Sequence, residues 1–391
     1  MSLRPTRRPS LRRAFCRQLL AIAGTSLLLH ASATAAEPPV IGDTTLEAQL
    51  QQALHGSRVP AIAAAEIRAG QLNRLAVAGQ RRNDGQDPVQ LGDRWLIGSN
   101  GKPITAALIA RLVDQGRLAW DTPLAELLPE LKAGMHSAYR KVTLLELLSH
   151  RAGLPENVSD LKFFERFAHD RRALPAQRLA YVSRALRDKP IAPPGSKISY
   201  SNTGFILAAV IAERHTGRDW ETLMREQLMA PLGMDSLAFG TTGAGEPRGH
   251  LKGKPALRPE DSNPLMFAPA GNVSMSLQDW ARFCLDQLAG ARGEGRLLSQ
   301  DSYQRLQSLR AGALPASQKT PAALGWGVQA SVAGRPGPVL LHGGSDGNWF
   351  ALVALFPESG DGALVVANAG PDMGGEQLVS QVFVSLLPPK P

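Results

Sequence analysis

Two apolar runs near the start of the chain, Val59 to Arg68 and Gln71 to Gly79, flank the dipeptide Ala69-Gly70, and that spacing predicts a β-hairpin. The period then changes. Between Ile104 and Leu118 the apolar positions Ile104, Ala107, Leu108, Ala110, Leu112 and Val113 fall on one face of a helix that stops at Gly116. Short helices are predicted at Thr143 to Ser149, Gly204 to Thr216, Trp220 to Met229 and Leu277 to Leu288, punctuated by Pro193-Pro194-Gly195 and Pro231-Leu232-Gly233. Strand-like runs return at Trp326 to Val332, Val339 to Leu341, Trp349 to Phe356 and Ala363 to Ala367, and Glu376 to Leu387 has helical period.

Strands at both ends with helices between them predict an α+β fold. One sheet is built from N- and C-terminal strands and flanked by helices, and a helical lobe, about residues 120–320, is inserted in the α/β lobe. A cleft between the lobes is the natural place for a site. No internal repeat or low-complexity tract interrupts residues 37–391.

The first 36 residues follow a different rule. Arg4, Arg7, Arg8, Arg12, Arg13 and Arg17 precede an apolar run, Leu19 to Leu29, and a small-residue stretch, Ala31 to Ala36. That three-part pattern predicts a signal peptide and a periplasmic or secreted protein. The apolar run falls short of the roughly 20 residues that span a bilayer, so no membrane anchor is expected in the mature chain. Arg12-Arg13-Ala14-Phe15 also resembles a twin-arginine signal, leaving the export route open.

Loss of this leader changes the charge. Six arginines depart with no acidic residue before Glu37, and the formal net charge falls from +9 to +3. The remainder has neither a basic stripe nor an aromatic-basic repeat, which argues against a nucleic-acid partner. With 43% hydrophobic and 20% charged residues the chain is an ordinary globular one. Cys16 lies in the leader, so Cys284 is the only mature thiol, and its apolar surroundings (Trp280, Phe283, Leu285, Leu288) predict a buried, inert group.

Three short segments carry candidate chemistry. Ser99-Asn100-Gly101-Lys102 places a hydroxyl and an amine on one helical turn, where free N–H groups favour developing negative charge. The bland alternative is a helix cap followed by a solvated lysine. Pro103 predicts a distorted first turn or a helix that begins near it. Tyr200-Ser201-Asn202 opens a helix after a Pro- and Gly-rich approach; its phenol can shuttle the serine proton if it or Lys102 loses affinity for its own proton. A turn tyrosine beside a capping asparagine is the competing reading. His342-Gly343-Gly344-Ser345 follows a strand, and the N–H of Ser345 can face that of Ser99 to form an oxyanion hole; a surface turn is the plain alternative.

In order and context these motifs resemble the penicillin-recognising serine hydrolases: class C β-lactamases, D-alanyl-D-alanine carboxypeptidases, D-aminopeptidases and related esterases. The resemblance runs from about Leu46 to Ala369 and includes Leu147-Leu148-Ser149-His150-Arg151-Ala152-Gly153-Leu154-Pro155, Pro231-Leu232-Gly233-Met234 and Pro269-Ala270-Gly271-Asn272. It implies an antiparallel sheet of the β-lactamase and DD-peptidase type. It also implies Ser99 as acylated nucleophile, Lys102 as its proton partner, Tyr200 as general base and acid, and Asn202 as a contact for the substrate amide. His342, Gly343 and Gly344 would take the third motif, on the edge strand. Many β-lactamases of this type carry lysine where this chain has His342, and a neutral imidazole holds a carboxylate less strongly than an ammonium does.

The expected activity is hydrolysis of a small amide, peptide or β-lactam-like substrate through an acyl-enzyme, with no cofactor and no metal. A carboxylesterase and a catalytically inactive ligand-binding protein are the alternatives. Gly343-Gly344-Ser345-Asp346-Gly347 also matches the nucleophile elbow of α/β-hydrolases, but that fold needs a later histidine and none follows His342. The sequence leaves the natural substrate and oligomeric state open.

Overall fold

The computed structural model describes residues 40–240, 242–307 and 323–390. The expected leader lies outside these described residues. Its main feature is a seven-stranded sheet. In chain order the strands are β1 (Val40–Ile41), β2 (Ala61–Arg68), β3 (Gln71–Gly79), β4 (Gly327–Val332), β5 (Arg335–Ser345), β6 (Phe350–Phe356) and β7 (Asp361–Ala367). In space they run β1-β3-β2-β7-β6-β5-β4, so the expected hairpin of β2 and β3 joins the C-terminal meander where β2 pairs with β7. All pairs are antiparallel except the two-residue β1, which lies parallel to β3.

Strand β2 is apolar from Ala61 to Ala65, because both faces of the sheet are covered there. Its alternate residues serve two cores. Ala61, Ala63, Ala65 and Ile67 pack with the larger, helix-rich core. Ile62 and Ala64 point the other way, into a smaller core with α1 (Thr44–Leu54) and the C-terminal helix α7 (Gly375–Leu386). β7 divides its side chains in the same manner, Leu364 and Val366 on one side and Ala363, Val365 and Ala367 on the other.

Between β3 and β4 the chain is mainly helical. The elements that matter for the site are α2 (Gly101–Asp114), α3 (Leu144–Leu148), α4 (Leu174–Ala185), α5 (Asn202–Thr216) and α6 (Leu277–Ala291). α5 is apolar around nearly its whole circumference and every residue from Asn202 to Glu213 is buried, which makes it the central helix of this region. Cys284, on α6, is fully buried, and burial pushes its thiol pKa up, in keeping with an inert group.

Candidate active site

Ser99 is not on a regular helix. Residues Gly98–Asn100 form a 3-10 turn, and α2 begins directly after it at Gly101. Pro103 therefore falls in the first α-helical turn, where its missing N–H leaves no helical bond unmade, and the irregularity lies just ahead of it. Two anchors hold this turn. The amide of Ile97 donates to Val273 O at 3.1 Å, and the Asn100 side chain donates to Ile97 O at 2.7 Å.

Lys102 is fully buried, which rules out the solvated-lysine reading. Its Nζ lies 3.0 Å from Ser99 Oγ and donates to Ala270 O at 2.5 Å. Burial drives the amine well below its ordinary pKa of 10.5, against a smaller upward pull from Glu156. Tyr200 Oη donates to Ser99 Oγ at 2.7 Å, so the distorted turn, the buried amine and the phenol share one oxygen. Tyr200 keeps 40% of its surface open, yet its hydroxyl end is enclosed, and burial pushes the phenol up to about 12. Lys102 Nζ sits 4.8 Å from the Tyr200 ring centroid.

The helix after Tyr200 is capped by Ser201, whose Oγ accepts from Gly204 N, rather than by Asn202. Asn202 is the first helical residue, 7% exposed. Its Nδ2 donates to Asn157 Oδ1 at 3.1 Å, while its own Oδ1 is buried with no protein partner. An orphaned acceptor of this kind is costly unless a ligand or water completes it.

The third segment is a strand and not a surface turn. β5 is longer than the apolar run Val339 to Leu341 and carries His342, Gly343, Gly344 and Ser345. It is also not the outermost strand, contrary to the sequence expectation, because β4 pairs outside it. The β4 register ends at Leu341 with Gly327, so residues 342–345 are held only by β6 and their other side is free to border the site. Gly344 and Gly98 are where the two segments touch. A Cβ on Gly344 would lie 2.7 Å from Ser99 N, and one on Gly98, whose φ is +55°, would lie 2.5 Å from Ser345 N. Only glycine permits that approach, and it brings the amides of Ser99 and Ser345 to one place.

His342 is partly exposed as a residue; its Nδ1 lies 2.7 Å from Gly343 O, and enclosure of its ring pushes the imidazole well below its ordinary pKa. Ser345 Oγ accepts from Gly347 N at 3.0 Å. Sequence reasoning missed the carbonyl of Ala270 as the anchor of the lysine. A backbone oxygen carries no residue-type signal, and the segment Pro269–Asn272 showed only as a family-like phrase.

Comparison with known proteins bears on the family and the fold. The family profile described as Beta-lactamase matches residues 46–381. Penicillin-binding protein 4 of Amycolatopsis lactamdurans is 30% identical over 80% of this chain and 81% of its own. The D-alanyl-D-alanine-carboxypeptidase/endopeptidase AmpH of Escherichia coli is 26% identical over 88% of each chain. In fold, the octameric penicillin-binding protein homologue of Pyrococcus abyssi superposes with a TM-score of 0.67 at 21% identity, covering 86% of this chain and 77% of that one. A D-stereospecific amidohydrolase from Streptomyces does so with the same score at 23% identity, covering 87% and 98%. A profile match across most of the chain, joined to a serine, lysine and tyrosine that meet at one oxygen, makes this protein a member of the β-lactamase family and a serine hydrolase.

Proposed function

We propose that the protein hydrolyses small amide or peptide substrates of the DD-peptidase kind through an ester on Ser99. The observation that carries this reading is the shared contact of Lys102 Nζ and Tyr200 Oη with Ser99 Oγ.

The resemblance gives Tyr200 both proton-transfer tasks; burial favours dividing them. A neutral amine at Lys102 takes the proton of Ser99 as Oγ bonds to the substrate carbonyl carbon. The carbonyl becomes an oxyanion that accepts from the N–H groups of Ser99 and Ser345, where one such donor is worth about 2.7–4 kcal/mol of barrier. Tyr200, still a phenol, gives its proton to the leaving nitrogen, and the proton held on Lys102 passes to the phenolate, so both groups end neutral. Water then attacks the ester. Its proton is taken by Lys102, and Ser99 leaves with a proton from Tyr200, which the lysine restores. Asn202 Oδ1 accepts from a substrate N–H and so completes its own hydrogen bonding.

A carboxylesterase is the second reading, favoured by His342. A neutral imidazole on the strand offers a substrate carboxylate no cation, which also argues against strong β-lactamase activity. The purified mature chain, offered a D-alanyl-D-alanine peptide, nitrocefin and p-nitrophenyl butyrate, is expected to cleave the peptide and to form an acyl adduct, visible by intact mass and lost in Ser99→Ala. Turnover of the ester alone would replace the first reading with the second, and no adduct with any of them would leave a ligand-binding protein.

The same reading includes export. The arginine-rich start, apolar run and small-residue stretch support cleavage near Ala36, which N-terminal sequencing of periplasmic material tests.

A further inference from the structure

His150 belongs to none of the three motifs, yet it lies against the phenol. It follows α3 and is 8% exposed, with a backbone φ of +60°. Its carbonyl accepts from Ser199 N at 2.7 Å, and its Nδ1 accepts from Ser201 N at 3.0 Å. A single residue thus ties down the amides on both sides of Tyr200. Its ring lies over the Tyr200 ring at 4.6 Å between centroids and 32° between planes, and Phe205 backs it at 5.3 Å.

We propose that His150 is a positioning residue for Tyr200: its carbonyl and its Nδ1 fix the backbone around the phenol, and its ring fixes the phenol's tilt toward Ser99. The inference rests on the proton-transfer role given to Tyr200 above. The lone pair of Nδ1 is engaged by the Ser201 amide, so the imidazole proton resides on Nε2. A charged imidazole would set an N–H against that amide. Burial holds His150 down to about 3, so it remains a neutral acceptor across the working range. The alternative of a second general base is excluded by the same geometry, since Nδ1 is occupied and Tyr200 Oη is bonded to Ser99.

His150→Gly suits the positive φ but removes both the acceptor and the ring, whereas His150→Asn keeps an acceptor near the place of Nδ1 and also tolerates that backbone. With p-nitrophenyl butyrate, or whichever probe the wild type turns over, His150→Gly is expected to lower kcat on the order of 10- to 100-fold, the scale of a misplaced catalytic group. KM should change little, and His150→Asn should recover most of the loss. In a Tyr200→Phe background His150→Gly should have almost no further effect, because there is no phenol left to position. If His150→Gly does not fold, judged by circular dichroism and thermal melting, His150→Phe takes its place in the cycle. A kcat equal to wild type, or a loss that persists in full without the Tyr200 hydroxyl, overturns the proposal while Ser99-dependent turnover stands. Absence of that turnover in the wild type overturns the catalytic reading and this inference with it.

Discussion

Ser99, Lys102 and Tyr200 are ordinary side chains whose chemistry is set by surroundings. A serine hydroxyl is a weak nucleophile, and an amine at its usual pKa of 10.5 holds its proton at neutral pH. Full burial of Lys102 weakens that preference, because the dry interior penalises the ammonium. Burial moves the Tyr200 pKa in the opposite direction, up to about 12, with the same result in charge terms, and the phenol stays a neutral donor. The pH dependence follows. With Lys102 as the base, kcat/KM should rise with pH through a group that titrates well below 10.5. A profile that climbs only near the ordinary lysine range would show that Lys102 is charged in the working enzyme. At this scale the sequence was informative about identity: the spacing of Ser99 and Lys102 and the pair Tyr200 and Asn202 could be picked out in one dimension. Their protonation was not legible, since it depends on which atoms exclude water from the amine.

Helix α4 presents the element-scale counterpart. Arg178, fully buried, is bonded to Glu213 in the last part of α5 and to Glu221 on the short helix Trp220–Met224, so one guanidinium joins three helices. Glu213 also accepts from Trp220 N at 3.0 Å. Burial raises the pKa of Glu213 in spite of that arginine. Arg178→Met should therefore lower stability by about 3–5 kcal/mol, because it leaves two buried carboxylates facing each other with no cation between them. Urea unfolding measures this directly, and a loss under about 1 kcal/mol would mean that water or proton uptake replaces the arginine. α4 was not visible in the hydrophobic pattern, and neither was α1. In α1 only Leu46 and Leu50 are buried, a stripe too thin to stand out, and its start is fixed by Asp43 accepting from Leu46 N. β5 was read too short for a related reason. Gly343 and Gly344 are poor strand formers held extended by pairing with β6, and Gly337 and Pro338 fall at an irregularity in the pairing with β4, between Pro336 and Val339.

Over the whole molecule, two sheet faces with separate cores hold a set of groups whose ionisation differs from that of the unfolded chain. His150 is the clearest. Its folded pKa is about 3 against 6.5 in the open chain, so the unfolded state binds the extra proton between those values. The stability contributed by keeping it neutral is complete above 6.5 and drains away as pH falls toward 3, amounting to about 2 kcal/mol lost by pH 5. Denaturation midpoints recorded from pH 7 down to pH 4.5 should fall accordingly, and His150→Asn should flatten the slope; an unchanged slope would place the loss in other groups, such as the paired Glu66 and Glu246, whose carboxyls are held low by their arginines. The α+β order of elements, the hairpin, the family-like motifs and the candidate residues for acyl transfer were all legible in one dimension, because hydrophobic period and residue type are local properties of the chain. Only the tertiary structure decided that Ser99, Lys102 and Tyr200 meet, that Gly98 and Gly344 bring two backbone amides together, and that Ala270 O and His150 hold the amine and the phenol in place. Those include a side-chain contact across 101 residues and a side-chain to backbone contact across 168, and neither the approach of distant segments nor the exclusion of water leaves a mark on the one-dimensional pattern.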